Sequence, residues 1–296
     1  MAVVAYFFPG PFKALKDYNN VFFAVTMFGI GAVLCVDDFK HVLKNPIIIL
    51  IGAAAQFIIM PFGAFVIARL FNLSNELTAG LILAGAAPDA MAGNVMAYIA
   101  KADTAYAVSL TTVTTLSCPV LTPGLTWLLA KSRLEIKFVA MLLDLLMTVI
   151  VPLLLGLGTR HLFKKQMEKI LPVFPAISIT FIMFICALVV ALNRDVLIEV
   201  TGPVLAAVVI LNIFGMFGGY GVAALFKMDF RRRRTLAIQV GMQNAALGTK
   251  LALEHISQKA AIPSAFFIFV CIFTAAIAAA FWRRTPDPGT AELSQP

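Results

Sequence analysis

Residues 238–247 read IQVGMQNAAL and residues 86–95 read AAPDAMAGNV. Each is an apolar run interrupted by groups that form hydrogen bonds, Gln239, Gln243 and Asn244 in the first and Asp89 and Asn94 in the second. A polar side chain left without a partner in an apolar medium costs roughly 2–7 kcal/mol, so these groups must find one another, an ion or a ligand. Both runs also carry helix breakers: Gly241 in one, with Gly248 directly after it, and Pro88 and Gly93 in the other. A break leaves the carbonyls of one half-helix and the amides of the next without helical partners. Carbonyls and amide side chains suit a cation, whereas half-helix N-termini, here at about 90–94 and 243–246, carry partial positive charge and suit an anion. Neither run has a Lys or Arg at its centre, so an anion would depend on those dipoles and on Asn94, Gln243 and Asn244.

The elements that hold these runs must lie in a bilayer. The chain has 296 residues, 61% of them hydrophobic and 13% charged, with mean hydropathy +0.94, whereas soluble domains are about a quarter charged. Apolar segments long enough to cross about 30 Å of hydrocarbon recur along the sequence. They predict spans at 20–35, 46–71, 75–101, 104–130, 136–158, 172–192, 200–226, 235–257 and 261–282. MAVVAYFF, which precedes Pro9, is too short to cross and has no basic flank, so it is read as the stump of a first helix and not as a signal peptide. The expected fold is all-α: one membrane domain over 1–285 and a polar C-terminal tail over 286–296. With the stump counted, the interrupted spans are the fourth and the ninth. An odd number of helices per half makes the second half enter the membrane in the opposite sense, giving inverted repeats over 1–131 and 135–285. The weak echo between NVMAYIAKAD and NAALGTKLALE after the two breaks agrees with this.

Lys40, Lys44, Lys101, Arg160, Lys164, Lys165, Lys169, Lys227, Arg231–Arg234, Arg283 and Arg284 fall on one side and outnumber the basic residues on the other. That side is expected to be cytoplasmic, with RRRR at 231–234 as a topology anchor and not a nucleic-acid patch. Cys35, Cys118, Cys186 and Cys271 form no CxxC pair, and His41, His161 and His255 sit at span ends, where they are expected to face water or headgroups. No HExxH, GxSxG or phosphate loop is present, so no catalytic residue is assigned and an enzyme is not expected.

MFGIGAVLCVDDF, AAAQFIIMP, GNVMAYIAKAD, TTVTTLSCPVLTP, PLLLGL and QVGMQNAALG, in this order and spacing, resemble the bile acid:sodium symporter family over about residues 18–282. The resemblance implies inverted five-helix repeats arranged as a panel domain and a core domain, with the broken fourth and ninth helices crossing in the core. It also implies secondary transport of an organic anion, a bile acid, pantoate or another carboxylate or sulfated compound, driven by sodium. The expected partners are that anion, sodium or a proton, and the lipid bilayer; no nucleic acid is expected, no cofactor other than sodium, and a monomer. The expected location is the cell membrane, the inner membrane if the source is Gram-negative.

Carried over residue by residue, the resemblance assigns the second sodium site to Gln56, Gln239, Val240, Met242 and Gln243. Of the first site Asn94 and Thr111 remain, while Gly93 and Ala107 stand where relatives have Ser, and Gln239 stands where they have a Glu shared by both sites. Loss of that carboxylate removes an attraction of order 4 kcal/mol at about 4 Å, so the sodium sites are expected to be eroded and proton-coupled or uncoupled transport is the alternative. Substrate-binding positions are Asn94, Asn244, Met91 and Ile272, the last two replacing polar residues and implying a greasier pocket. A channel or receptor on the same fold is the remote alternative. Two acids at membrane depth stand where the family usually has small or polar residues. Asp89 is read as a cap on the following half-helix or as a coupling acid, and Asp144 as a hydrogen-bonded structural carboxyl or as a coupling acid. Lys250 and Glu254 are expected to pair along one helix.

Overall fold

A computed structural model describes residues 1–34, 46–131, 134–171 and 173–285; Cys35, His41, Lys40, Lys44 and the tail at 286–296 lie outside the described residues. Every long element among the described residues is an α-helix. In chain order they are α1 (Ala2–Phe7), α2 (Gly10–Ala14), α3 (Asn19–Val33), α4 (Pro46–Leu70), α5 (Asn75–Ala86), α6 (Ala92–Ile99) and α7 (Thr104–Ala130). There follow α8 (Phe138–Leu162), with one π-helical turn at Leu146–Ile150, α9 (Lys164–Ile170) and α10 (Val173–Leu225). The chain ends in α11 (Phe230–Gly241), α12 (Ala245–His255) and α13 (Ala261–Arg284). Of these, α4, α7, α8, α10 and α13 are each long and apolar enough to cross a membrane, so the chain is an all-α, multi-pass membrane protein.

The span expected at 75–101 is the pair α5 and α6, broken at Ala87–Met91, and the span expected at 235–257 is α11 and α12, broken at Met242–Asn244. Gly248 lies inside α12 and breaks nothing. Local chemistry starts the half-helices: Ser74 caps α5, Asp229 caps α11, and the Asn244 side chain accepts from the Leu247 amide at 3.2 Å to cap α12. The C-terminal carbonyls find side chains from elsewhere. The Thr122 hydroxyl on α7 donates to the Ala86 carbonyl at 2.7 Å, and Asn212 Nδ2 on α10 donates to the Gly241 carbonyl at 2.8 Å.

One expectation is corrected. The separate spans at 172–192 and 200–226 are a single helix of 53 residues, α10. No Gly or Pro stands between Leu192 and Thr201 to end it, and Pro203 is carried inside. At 1.5 Å per residue a straight helix of this length is about 80 Å long, more than twice the hydrocarbon thickness. Its two apolar stretches are joined where Arg194, Asp195 and Glu199 are exposed. The first stretch packs on α1 and α3, with Ala187 and Ala191 on Ala5, and Phe181 and Phe184 on Phe23 and Phe22. The second packs on α4, α11 and α13, with Gly215 and Gly219 against Met60 and the Leu236 carbonyl and Tyr220 stacked on Trp282. Helices α3 and α8 approach closely enough that a Cβ on Gly31 would strike the Leu153 backbone.

Candidate functional site

The two breaks meet. Asp89 and Gln243 form an isolated antiparallel bridge, in which the Ala90 amide donates to the Met242 carbonyl at 2.8 Å and the Asn244 amide to the Pro88 carbonyl at 2.7 Å. Each break therefore satisfies backbone groups that the other exposes, as irregular backbone at membrane depth requires. The polar side chains of both opening sequences gather here. Gln56, Asp89, Gln239 and Gln243 are all at most 2% exposed, so hydrogen bonding decides what they do.

Gln239 lies on α11 and points its amide nitrogen at three oxygens: Asn94 Oδ1 at 2.7 Å, the Ala107 carbonyl at 3.1 Å and Thr111 Oγ1 at 3.2 Å. The carbonyl of Ala107 can only accept, which fixes the nitrogen as the group facing it. The resemblance assigns Asn94 and Thr111 to the first sodium site; here Thr111 Oγ1 donates to Asn94 Oδ1 at 3.1 Å and the –NH2 of Gln239 packs against both. Its oxygen is buried without a donor and backs onto Gly93, where a Cβ would collide with it. The two departures at Gly93 and Gln239 are thus sterically one: the amide fits because the neighbouring side chain is absent.

The second constellation is a chain of amides. Gln56 Nε2, on α4, donates to Gln243 Oε1 at 2.5 Å and to the Ala87 carbonyl at 3.1 Å, and Gln243 Nε2 donates to the Val240 carbonyl at 2.7 Å. The Met242 carbonyl is held by Ala90, and Gln56 Oε1 has no donor. The structure thus brings together Gln56, Val240, Met242 and Gln243, while Gln239 turns to the other constellation.

Asp89 does not cap α6. Met91 occupies the capping position and no side chain accepts from that turn, because residue 89 is held extended by the bridge to Gln243. Both of its carboxylate oxygens are buried and make no hydrogen bond of good geometry, although the Thr114 hydroxyl lies within reach of them. The nearby Thr114 hydroxyl, which faces Asp89, donates to the Thr111 carbonyl at 3.2 Å. A fully buried carboxyl group in this state requires a proton or a cation.

Among the substrate-binding expectations, Met91 lines a closed cleft of about 10 Å³ with Thr111, Thr112, Ile30 and Leu153. Asn94 is tied to Gln239 and Asn244 to the α12 amides, and Ile272 is 42% exposed on α13, outside that cleft. The Ser and Thr of α7 bond mostly within their helix, as Ser109 to Ala105 and Thr112 to Val108. Asp144 is not alone. Lys250, fully buried, pairs with it and with Glu254, and His255, read from the sequence as facing water, instead faces Asp144 at 2.9 Å. The sequence signal for this pairing is the lysine itself, a charge in an apolar helix.

Comparison with known proteins agrees with the geometry. A family profile described as the Sodium Bile acid symporter family matches residues 20–200. The chain is 38% identical over 284 residues to the uncharacterized sodium-dependent transporter YocS of Bacillus subtilis, covering 96% of this chain and 88% of that one. It is 32% identical over 270 residues to the probable sodium/metabolite cotransporter BASS1, chloroplastic, of Arabidopsis thaliana, covering 91% and 67%. To sodium/bile acid cotransporter 4 of Mus musculus it is 25% identical over 244 residues, covering 80% and 56%. The chain, with its two broken helices bridged at Asp89 and Gln243, belongs to the sodium bile acid symporter family, whose members are transporters and not enzymes.

Proposed function

We propose that the protein is a secondary active transporter of a small organic anion, a carboxylate or sulfated compound, working by alternating access with a cation bound at the crossing. In this reading α1 to α3, α8 and the first stretch of α10 form the panel. The core comprises α4 to α7, the second stretch of α10, and α11 to α13. The helices form two inverted repeats, over 1–131 and 135–285. The anion meets the half-helix N-termini near Asn94 and Asn244, with Met91 and Ile272 giving the pocket an apolar wall. The location is the cell membrane, the inner membrane in a Gram-negative source.

The observation that carries the reading is the buried Asp89 carboxyl group beside the crossing, with only the Thr114 hydroxyl within reach of it among the described residues. With Gln239 neutral and its amide filling the first constellation, Asp89 supplies the charge that attracts a cation, and Gln56 and Gln243 offer neutral oxygens. The names of the relatives, sodium-dependent transporter and sodium/metabolite cotransporter, favour sodium as that cation. A proton is the second reading, favoured by the same carboxyl group, which a proton satisfies equally well.

Thermal melting of purified protein in sodium chloride and in choline chloride, over a range of pH, separates them. Sodium stabilises by RT ln(1 + [Na⁺]/Kd), about 2.7 kcal/mol at a hundredfold excess over Kd. The expected result is stabilisation by sodium that Asp89→Asn abolishes. Stabilisation by acid alone, lost in the same variant, selects the proton. A variant that responds as the wild type does removes Asp89 from coupling.

A further inference from the structure

A second charged cluster lies away from the crossing, between α8 and α12. Asp144 comes from α8 and Lys250, Glu254 and His255 from the last turns of α12. Lys250 Nζ lies 2.5 Å from Asp144 Oδ1 and 2.8 Å from Glu254 Oε2, with Thr148 Oγ1 of α8 at 3.4 Å. His255 Nε2 lies 2.9 Å from Asp144 Oδ2. The ammonium is sealed at 0% exposure, while the Asp144 and His255 side chains keep 15% and 14%. The charges facing one another are these four side chains, and α5, α10 and α13, which also pack on α12, add no ionisable group to them.

The charge count is uneven. Two carboxylates face one ammonium, so with a neutral imidazole the cluster keeps one negative charge, and a single proton brings it to zero. A net charge in a poorly solvated place is what burial penalises. The cluster also provides the hydrogen bonds that tie α8 to α12 among the described residues. Because α11 begins at the arginine run and α12 continues the same broken helix, the tie lies on the membrane side opposite Arg231–Arg234.

We propose that Asp144, Lys250, Glu254 and His255 form a proton-binding site, distinct from the crossing, whose occupancy holds α8 against α12 and closes that side of the protein. An imidazolium beside the Asp144 carboxylate makes a charge-assisted bond, stronger than the neutral one. Acid on that side therefore favours the joined arrangement, and alkali favours the parted one. The inference rests on the alternating-access reading, which supplies the parted state.

Spin labels at Val139→Cys on α8 and Gln258→Cys just beyond α12, both exposed positions, report the arrangement by pulsed electron resonance in lipid nanodiscs. Measurements at about pH 5 and about pH 8 bracket the ordinary titration range of histidine. The expected result is two distances whose joined-to-parted ratio is about tenfold higher in acid, the equivalent of one proton bound about 1.4 kcal/mol more tightly in the joined form. His255→Gln flattens this dependence, and so does Glu254→Gln, which removes the surplus negative charge and serves if the first variant does not fold. Two distances in a ratio that ignores pH, or a pH dependence that survives in both variants, overturn the proton site and leave alternating access standing. A single distance under every condition overturns both.

Discussion

Replacing Gln239 by Glu is the sharpest test of what the amide does. Its nitrogen donates to Asn94, Ala107 and Thr111 at 2.7, 3.1 and 3.2 Å. A carboxylate in its place donates nothing and faces the Ala107 carbonyl, which can only accept, while the Thr111 hydroxyl would have to leave its present acceptors to serve it. The amide nitrogen carries two hydrogens, so at about 1 kcal/mol per bond the ion-free variant loses about 2 kcal/mol before any repulsion is counted. A sodium ion held among these oxygens restores an attraction of order 4 kcal/mol at about 4 Å and an effective dielectric near 20. Gln239→Glu therefore exchanges a built-in donor for dependence on an ion. In a melting assay at about pH 8, well above the ordinary carboxyl range, the variant is expected to melt about 4–8 °C below the wild type in choline chloride, at 2–4 °C per kcal/mol. Sodium recovers most of that gap, beyond any stabilisation it gives the wild type. A variant that melts with the wild type in choline, or gains no more from sodium than the wild type does, refutes the view that the amide occupies a cation position.

Gly93→Ser alone is expected to destabilise by about 1–3 kcal/mol through collision with the Gln239 oxygen, and its cost in the Gln239→Glu background with sodium is expected to be smaller, a coupling that a double-mutant cycle of melting temperatures reads. Lys250→Met leaves Asp144 and Glu254 without their buried cation and is expected to cost about 3–5 kcal/mol; adding Asp144→Asn recovers part of it, measured as the yield of monodisperse protein after heating. Gly31→Ala drives a methyl group into the Leu153 backbone where α3 and α8 touch, and is expected to lower the melting temperature by the equivalent of about 1–3 kcal/mol.

Much of the candidate site is legible in the sequence because it is built from breaks. Pro88 and the polar residues of QVGMQN announce that two helices stop inside the membrane, and the half-helices begin at Ala92 and Ala245, within the ranges expected for them. What those polar residues bind to is not legible. Gln239 and Asn94 are 145 positions apart, so the direction of the amide emerges only from packing. Asp89 reads as a cap because aspartate caps helices well, but its backbone is claimed first by Gln243 of the other break. His255 reads as a headgroup-facing residue because it ends a helix, and only the approach of α8, 111 positions earlier, gives it a partner. The merged helix α10 was hidden by its polar midsection. Arg194, Asp195 and Glu199 end an apolar run, yet all three are tolerated at exposed positions of a continuous helix.

That unbroken helix has a mechanical consequence. A loop between two apolar stretches would let the helices grouped around each of them shift with slack between. In α10 the backbone hydrogen bonds run on from Phe181, packed on Phe23, to Tyr220, stacked on Trp282. Asn193 pins the middle to the Gln258 carbonyl at 3.0 Å. Displacing one group against the other must therefore flex or twist one continuous helix whose middle carries the exposed Arg194, Asp195 and Glu199. In the alternating-access reading, movement of α11 or α13 is therefore coupled through one hydrogen-bonded backbone to α1 and α3.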